Sequence, residues 1–99
     1  MEIYYVYILL CSDGSYYTGV TNDINVRFRQ HQEGIDPKSF TYKRRPLKLV
    51  YQQSFREINH AIAFEKQVKG WRREKKEAII NGDWEILPDL SIAFRDKKK

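Results

Sequence analysis

Hydrophobic and polar positions alternate with strand periodicity in three stretches of the chain. Residues 3–11 are β-branched, aromatic or aliphatic on both faces, which is typical of a strand in the middle of a sheet. Residues 16–21 repeat this character after an Asp13-Gly14 pair, which predicts a hairpin with a two-residue turn because both residues tolerate positive φ. Residues 47–55 predict a third, half-buried strand. One face of that strand is expected to carry Leu47, Leu49, Tyr51, Gln53 and Phe55.

Three further stretches have helical periodicity. They are predicted over residues 23–33, 57–69 and 71–81, and a glycine follows each of the three. The first is expected to begin at a cap formed by Thr21, Asn22 or Asp23. In the second, the apolar stripe comprises Ile58, Ala61, Ile62, Phe64 and Val68. The order ββαβαα predicts an α+β fold in which helices flank a small three-stranded antiparallel sheet.

The length and composition limit the class of protein. With 99 residues, one domain is expected, over residues 1–88, followed by a short C-terminal segment and basic tail over residues 89–99. The single cysteine excludes an internal disulfide, and no targeting or membrane-spanning segment is visible, so a cytoplasmic protein without membrane contact is expected. The net charge of +5 suits nucleic acid, although it also suits simple solubility.

One carboxylate occupies an unusual position. Glu65 follows Ile58 by seven residues and precedes Val68 by three, so it falls inside the apolar stripe of the second helix. An ionised side chain there needs compensation, because an unpaired buried carboxylate is costly. Three explanations stay open at this point: a Lys or Arg partner at the edge of the stripe, a water-filled pocket, or a metal ion.

A cation and an imidazole share one face of the first helix. Arg27 and His31 are four residues apart, a spacing that suits a phosphodiester because Arg can bind two phosphate oxygens and His can relay a proton. An exposed helix face is the plainer explanation. Tyrosines also crowd the predicted hairpin, Tyr7 and Tyr17 among them, and a phenol near pKa 10 needs cations or a metal nearby to act as a base.

Two basic stretches offer contacts to a phosphate backbone. They lie at residues 38–48 and 66–76, and the aromatic side chains of Tyr42, Trp71 and Trp84 offer surfaces for base stacking. Packing of these rings onto the sheet is the alternative. The basic residues expected to bind nucleic acid are Lys43, Arg44, Arg45, Lys69, Arg72 and Arg73.

These motifs occur in a specific order. Tyr5-Val6-Tyr7 is followed by Tyr17-Thr18-Gly19, then by a helix with Arg27 and His31, and later by Glu65. In this order and spacing the chain resembles the GIY-YIG nuclease domain, as found in the incision subunit of excision repair and in GIY-YIG homing endonucleases. The resemblance covers residues 3–80 and is greatest to the small single-domain bacterial members.

The resemblance implies a role for each matching residue. Tyr7 and Tyr17 would line the scissile phosphate, and one of the two would help to activate water. Arg27 would contact the phosphate, and Glu65 would hold a single divalent cation, Mg²⁺ or Mn²⁺. His31 stands where the family carries Tyr or His. The chain departs from the pattern at Val20, where some members carry a lysine that neutralises charge or helps to activate water, and His31 is the candidate to replace it.

The sequence therefore leads to two hypotheses about function. The first is a metal-dependent DNA endonuclease that leaves 5′-phosphate and 3′-hydroxyl ends, in DNA repair or recombination, as the resemblance implies. The second is a non-catalytic module that binds nucleic acid through the same cleft. Glu65 favours the first, because a carboxylate repels a phosphate unless a cation lies between them.

Overall fold

A computed structural model describes residues 2–82 of the chain and confirms the predicted order of elements. Its antiparallel sheet has the strand order β2-β1-β3, so the most apolar strand is the central one, as predicted. The predicted boundary at residue 88, the 89–99 tail and Trp84 lie outside the described residues. The elements are β1 (Tyr4–Leu10), β2 (Tyr16–Thr21), α1 (Ile24–Glu33), a 3-10 turn (Tyr42–Arg44), β3 (Lys48–Phe55), α2 (Ile58–Lys69) and α3 (Arg73–Asn81).

The β1–β2 hairpin has a longer turn than the predicted two-residue one. The Cys11 N–H donates to the Ser15 carbonyl and the Gly14 N–H donates to the Cys11 carbonyl, so three residues form the loop. Gly14 adopts φ +89°, which a glycine does without steric cost. The Asp13 carboxylate accepts from both the backbone and the hydroxyl of Ser15, and this local bonding favours the wider loop.

The two ends of α1 are fixed by side-chain and backbone caps. Among the three candidates for the cap, Asp23 is the N-cap, because its Oδ1 accepts from the Val26 N–H. Gly34 ends the helix in the left-handed conformation, at φ 66°. The Arg45 guanidinium lies against Gly34 and donates to the carbonyls of Gln32 and Tyr42, which ties the loop after α1 to the helix terminus.

The helices cover both faces of the sheet. On one face, Val6 and Ile8 of β1 pack with Phe64 of α2 and Ile79 of α3. On the other face, Tyr7 and Leu9 of β1 pack with Phe28 of α1 and with Tyr17 of β2. The central strand thus supplies both hydrophobic clusters, which explains why both of its faces are apolar. No helix within residues 2–82 is long and apolar enough to cross a membrane.

An irregularity in β3 overturns the predicted face of that strand. The register shifts between Ile8 and Leu9, which pair with Tyr51 and Leu49, so Val50 is an extra residue. Leu47 and Leu49 therefore belong to the α1 side, whereas Tyr51 and Phe55 pack on the side of α2 and α3. A β-bulge exchanges the two faces of a strand, and simple alternation does not reveal it.

Two predicted helical features differ in detail. Ile58, assigned to the apolar stripe of α2, is 38% exposed because it stands in the first turn of the helix. Trp71 packs against the cluster that contains Phe64, with the two rings edge to face, so it is a packing residue as the alternative to base stacking supposed. The third helix begins at Arg73 and buries Ala78 and Ile79.

We expect Gly34→Ala to destabilise the protein more than Gly14→Ala. Both glycines have positive φ, which costs an L-residue on the order of 1 kcal/mol or more. A Cβ at Gly34 would also lie 2.7 Å from the Arg45 guanidinium, whereas a Cβ at Gly14 would meet nothing within 4 Å. Denaturant unfolding of both variants measures the difference, and equal losses of unfolding free energy would contradict the structural role of the Arg45 contact.

Candidate active site

The Tyr7 phenol lies across the backbone of the neighbouring strand. Tyr7 pairs with Gly19 of β2, and a Cβ at Gly19 would lie 2.5 Å from the Tyr7 hydroxyl and 3.1 Å from the Tyr17 ring. Only glycine leaves room for the phenol at this position. Tyr7 is 1% exposed, and burial, followed by the nearby Tyr17, raises its pKa to about 12. Tyr7 is therefore a neutral phenol at physiological pH.

His31 links this phenol to the loop after α1. Its Nε2 is 3.1 Å from the Tyr7 hydroxyl and its Nδ1 is 2.8 Å from Thr41 Oγ1. Both ring nitrogens are thus hydrogen-bonded inside the protein, and neither is left for a water molecule. Burial, and then the positive charge of Arg27, lower the pKa of His31, so the ring is neutral at neutral pH.

A cleft of about 360 Å³ opens beside these residues, between α1 and the loop that follows it. Tyr17, Arg27 and His31 line one side, and the loop contributes Phe40 and Thr41. Tyr17 stacks on Phe40, with ring centroids 6.0 Å apart, and meets the His31 ring edge-on at 5.1 Å. Arg27 also lies close enough to the Tyr7 phenol for its positive charge to oppose the rise in the phenol's pKa. Four of the predicted site residues are therefore neighbours.

Glu65 stands on α2, which packs on the opposite face of the sheet from α1. It is 8% exposed, and its carboxylate forms an ion pair of 2.8 Å with Lys69, one turn later in the helix. The first of the three explanations given for this carboxylate, a cationic partner, thus holds in this structure. Glu65 also contributes to the raised pKa of Tyr7, and Tyr17 contributes to that of Lys69, which is raised first by the bond to Glu65. Glu65 and Lys69 of α2 thus interact electrostatically with two phenols of the sheet, whose rings pack on the side of α1.

The basic residues predicted to bind nucleic acid fall into two groups. Arg44 donates to Asp13 and to the Phe40 carbonyl, Arg45 donates to two carbonyls, and Arg73 donates to Glu77 and the Gly14 carbonyl. Lys69, paired with Glu65, belongs to this first group of engaged residues, whereas Lys43 and Arg72 form the second group and are exposed. Tyr42, suggested as a stacking partner, has its ring covered by the Arg45 guanidinium at 4.7 Å. The three arginines of the first group thus hold loops in place through these hydrogen bonds.

Sequence reasoning missed the contribution of the loop after α1. Thr41 is 1% exposed and its hydroxyl contacts both His31 and Ser39, while Phe40 covers Tyr17. These residues lie in a stretch interpreted only as a basic loop. The available signal was a pair of small hydroxyl residues, Ser39 and Thr41, among charged and aromatic neighbours. Periodicity carries no information about such a loop.

Comparison with known proteins places this geometry in a family. The model of the GIY-YIG catalytic domain matches residues 3–78. A UPF0213 protein of Staphylococcus aureus is 41% identical over 80 residues, which cover 81% of this chain and 96% of that protein. The solution structure of a UPF0213 protein from Bacillus halodurans is similar at 39% identity and a TM-score of 0.53, covering 80% of this chain and 83% of that one. A protein from E. faecalis gives 32% identity and a TM-score of 0.58, covering 83% and 90%.

We expect Arg27→Met to raise the pKa of His31, because it removes a positive charge that opposes protonation of the ring. The rise should be partial, since burial is the larger cause of the lowered pKa. An NMR titration of the imidazole signals measures it, with the exposed His60 as reference. Arg29→Met, two residues along α1 and exposed, is the matched control. An equal pKa of His31 in all three proteins would show that Arg27 does not act on the ring.

Proposed function

The chain belongs to the GIY-YIG family, in which its relatives are UPF0213 proteins, and we propose that it is a metal-dependent DNA endonuclease. Membership of this family points to a nuclease-type hydrolase and implies a nucleic-acid substrate. The observation that carries the finer proposal is the position of Arg27, Tyr17 and His31 around one cleft, with Tyr7 hydrogen-bonded to His31 and the buried Glu65 electrostatically coupled to Tyr7.

Arg27 is the residue that we assign to the phosphate. Its guanidinium lines the cleft beside two phenols, and a planar guanidinium can donate to two phosphoryl oxygens at once. Negative charge grows on those oxygens as the attacking oxygen approaches phosphorus. A fixed donor that meets this charge typically accounts for about 10²–10³ in rate. The burial of Tyr7 and the packing of Tyr17 against Phe40 limit how far this wall of the cleft can move.

Glu65 is the residue that would hold a divalent ion. Residues 2–82 contain no group of three or more His, Cys, Asp or Glu side chains that could bind a metal. A single carboxylate nevertheless suits Mg²⁺ or Mn²⁺, because Mg²⁺ keeps several waters and is commonly bound by one or two carboxylates together with substrate phosphates. The ion, once bound, supplies Lewis acidity to the phosphate and stabilises the leaving 3′ oxygen. Lys69 would then leave Glu65 and contact the phosphate backbone of the DNA instead.

The attacking water is assigned to Tyr17. Tyr17 is half-buried and lines the cleft, whereas Tyr7 is almost fully buried and both nitrogens of His31 are hydrogen-bonded. We propose that the Tyr17 oxygen orients the water, and that Tyr7 and His31 hold the wall behind it. Hydrolysis would leave 5′-phosphate and 3′-hydroxyl ends. Because a ligase can join such ends directly, we extend the proposal to DNA repair or recombination.

We expect Glu65→Gln to abolish metal-dependent nicking while binding of DNA persists, because the amide keeps the shape of the side chain but loses the charge that attracts the ion. The measurement is incubation of the purified protein with duplex, branched and single-stranded DNA, with Mg²⁺ or Mn²⁺ and with a chelator. Glu57→Gln is the matched control, since Glu57 is exposed, precedes α2 and makes no cap hydrogen bond.

Each outcome of that experiment decides a different part of the proposal. Equal nicking by the wild type and Glu65→Gln would overturn the role of Glu65 alone. Nicking that survives the chelator would overturn the metal dependence. If the wild type cleaves no substrate with either metal but binds DNA, the chain is a binding module that uses the same cleft.

The two groups of basic residues lead to a second prediction. Lys43→Gln and Arg72→Gln should each weaken DNA binding and lower the slope of log K against log salt by about 1, because each exposed cation releases counterions from a phosphate. Arg45→Gln should instead lower the free energy of unfolding, since its guanidinium donates to two backbone carbonyls. Salt titrations of binding and denaturant unfolding separate the two effects. An unchanged salt slope in the first two variants would exclude these residues from the interface.

A further inference from the structure

A chain of hydrogen bonds runs from the loop after α1 to the buried phenol. Ser39 Oγ is 2.9 Å from Thr41 Oγ1 and also accepts from the Thr41 N–H at 3.2 Å. Thr41 Oγ1 is 2.8 Å from His31 Nδ1, and His31 Nε2 is 3.1 Å from the Tyr7 hydroxyl. Tyr7 and Thr41 are each 1% exposed, and Ser39 Oγ accepts from a backbone N–H, so the positions of the hydrogens can be worked out from the two ends of the chain.

The Tyr7 hydroxyl sets the direction of the chain. A phenol that is 1% exposed needs an acceptor for its hydrogen. Its neighbour Arg27 has only donors, and His31 Nε2 is the acceptor that the described part of the chain offers. A bare Nε2 is therefore the state of His31 that satisfies the Tyr7 hydroxyl. A neutral imidazole then has its hydrogen on Nδ1, which donates to Thr41 Oγ1. Thr41 in turn donates its own hydrogen to Ser39 Oγ.

We propose that Thr41 is a positioning residue that holds His31 in the tautomer protonated at Nδ1, so that Nε2 accepts the hydrogen of Tyr7. In that state the lone pairs of the Tyr7 oxygen stay available on the side of the Arg27 guanidinium, whose positive charge acts on the phenol. In the opposite tautomer Nε2 would donate its hydrogen to the Tyr7 oxygen, and the phenolic hydrogen would then have no acceptor, because Arg27 is also a donor. The direction of the Tyr7 hydroxyl thus depends on a hydroxyl in the loop.

The surroundings of His31 agree with a neutral ring. The groups that face it are Tyr7 from β1, Tyr17 from β2, Arg27 from α1 and Thr41 from the loop, none of which is an anion at neutral pH. No carboxylate among them would stabilise an imidazolium, and burial and Arg27 lower the pKa of His31. A neutral acceptor, the threonine hydroxyl, is accordingly the partner at Nδ1, where a carboxylate would favour the charged ring.

The experiment is NMR spectroscopy of the imidazole nitrogens, in long-range ¹H–¹⁵N spectra that distinguish protonated from bare nitrogens. The proteins are the wild type, Thr41→Val, Thr41→Ser and Ser39→Ala, with the exposed His60 as internal reference. The wild type should show His31 protonated at Nδ1. Thr41→Ser should keep this pattern, and Thr41→Val should lose the preference. Ser39→Ala should shift His31 towards Nε2 protonation, because the Thr41 hydroxyl, deprived of its acceptor, turns to donate to Nδ1.

A matched control removes a buried threonine hydroxyl elsewhere. Thr18 is 3% exposed, stands on β2 beside Ile8, and its Oγ1 has no hydrogen-bond partner within residues 2–82. Thr18→Val should leave the His31 spectrum and the nicking rate unchanged. It should also be neutral or stabilising, because a buried unpaired hydroxyl is lost.

The effect on catalysis rests on the proposed function, whereas the spectra do not. If the wild type nicks DNA, Thr41→Val should lower kcat about 10- to 100-fold, as loss of an outer hydrogen bond to a site histidine typically does, and Thr41→Ser should restore most of it.

Nε2 protonation in the wild type would overturn the proposal, as would an unchanged tautomer in folded Thr41→Val. If Thr41→Val does not fold, the His31 spectra of the wild type and of Ser39→Ala decide whether the proposal holds. Absence of nicking by the wild type would overturn the proposed function and leave the tautomer test intact.

Discussion

The close approach of the Tyr7 phenol to the backbone of Gly19 is the constraint on which the candidate site depends. Tyr7 belongs to the central strand, so its backbone is hydrogen-bonded on both sides and its position is fixed by the whole sheet. Because Gly19 has no side chain, the phenol can extend over β2 to reach His31. The hydroxyl then holds His31 by a hydrogen bond, and Arg27 lies near it. The central strand of the sheet thus positions the candidate site.

A second constraint is electrostatic and acts between the two helical layers. The cleft carries the positive Arg27 and a neutral His31, whereas the anion Glu65 belongs to the helix on the other face of the sheet and is balanced by Lys69. Lys69 is exposed, but Glu65 is buried, so its carboxylate is costly to leave without a partner. A divalent ion and a phosphate would together provide new partners for Glu65 and Lys69. The resting ion pair is therefore compatible with a site that becomes complete only when substrate and metal bind.

Much of this arrangement could be predicted from the sequence, because it depends on periodicity and on residue types with one strong preference. The apolar character of β1 on both faces predicted a central strand, Gly34 was recognisable as the end of α1, and the N-cap was narrowed to three residues that include Asp23. Glu65 could be recognised as a candidate site residue because a carboxylate is unusual inside an apolar stripe. The bulge at Val50 and the three-residue hairpin loop were not predictable, since backbone hydrogen bonds decide both. Thr41 was missed because its role depends on a contact between α1 and a loop without periodicity.

The roles proposed for the two phenols differ because the phenols differ in burial. With a pKa of about 12, Tyr7 does not supply a phenolate at neutral pH, so the role proposed for it is that of a hydroxyl of defined direction. Tyr17 borders the cleft, and the cation coupled to it is Lys69 of α2. Val20 carries no charge where some family members have a lysine, and His31, with both nitrogens engaged, leaves none for water. Lys69 forms an ion pair with Glu65, the carboxylate assigned to the metal ion, and Tyr17 is among the causes of its raised pKa. In the proposed function, Lys69 would therefore supply from α2 the positive charge that Val20 does not carry.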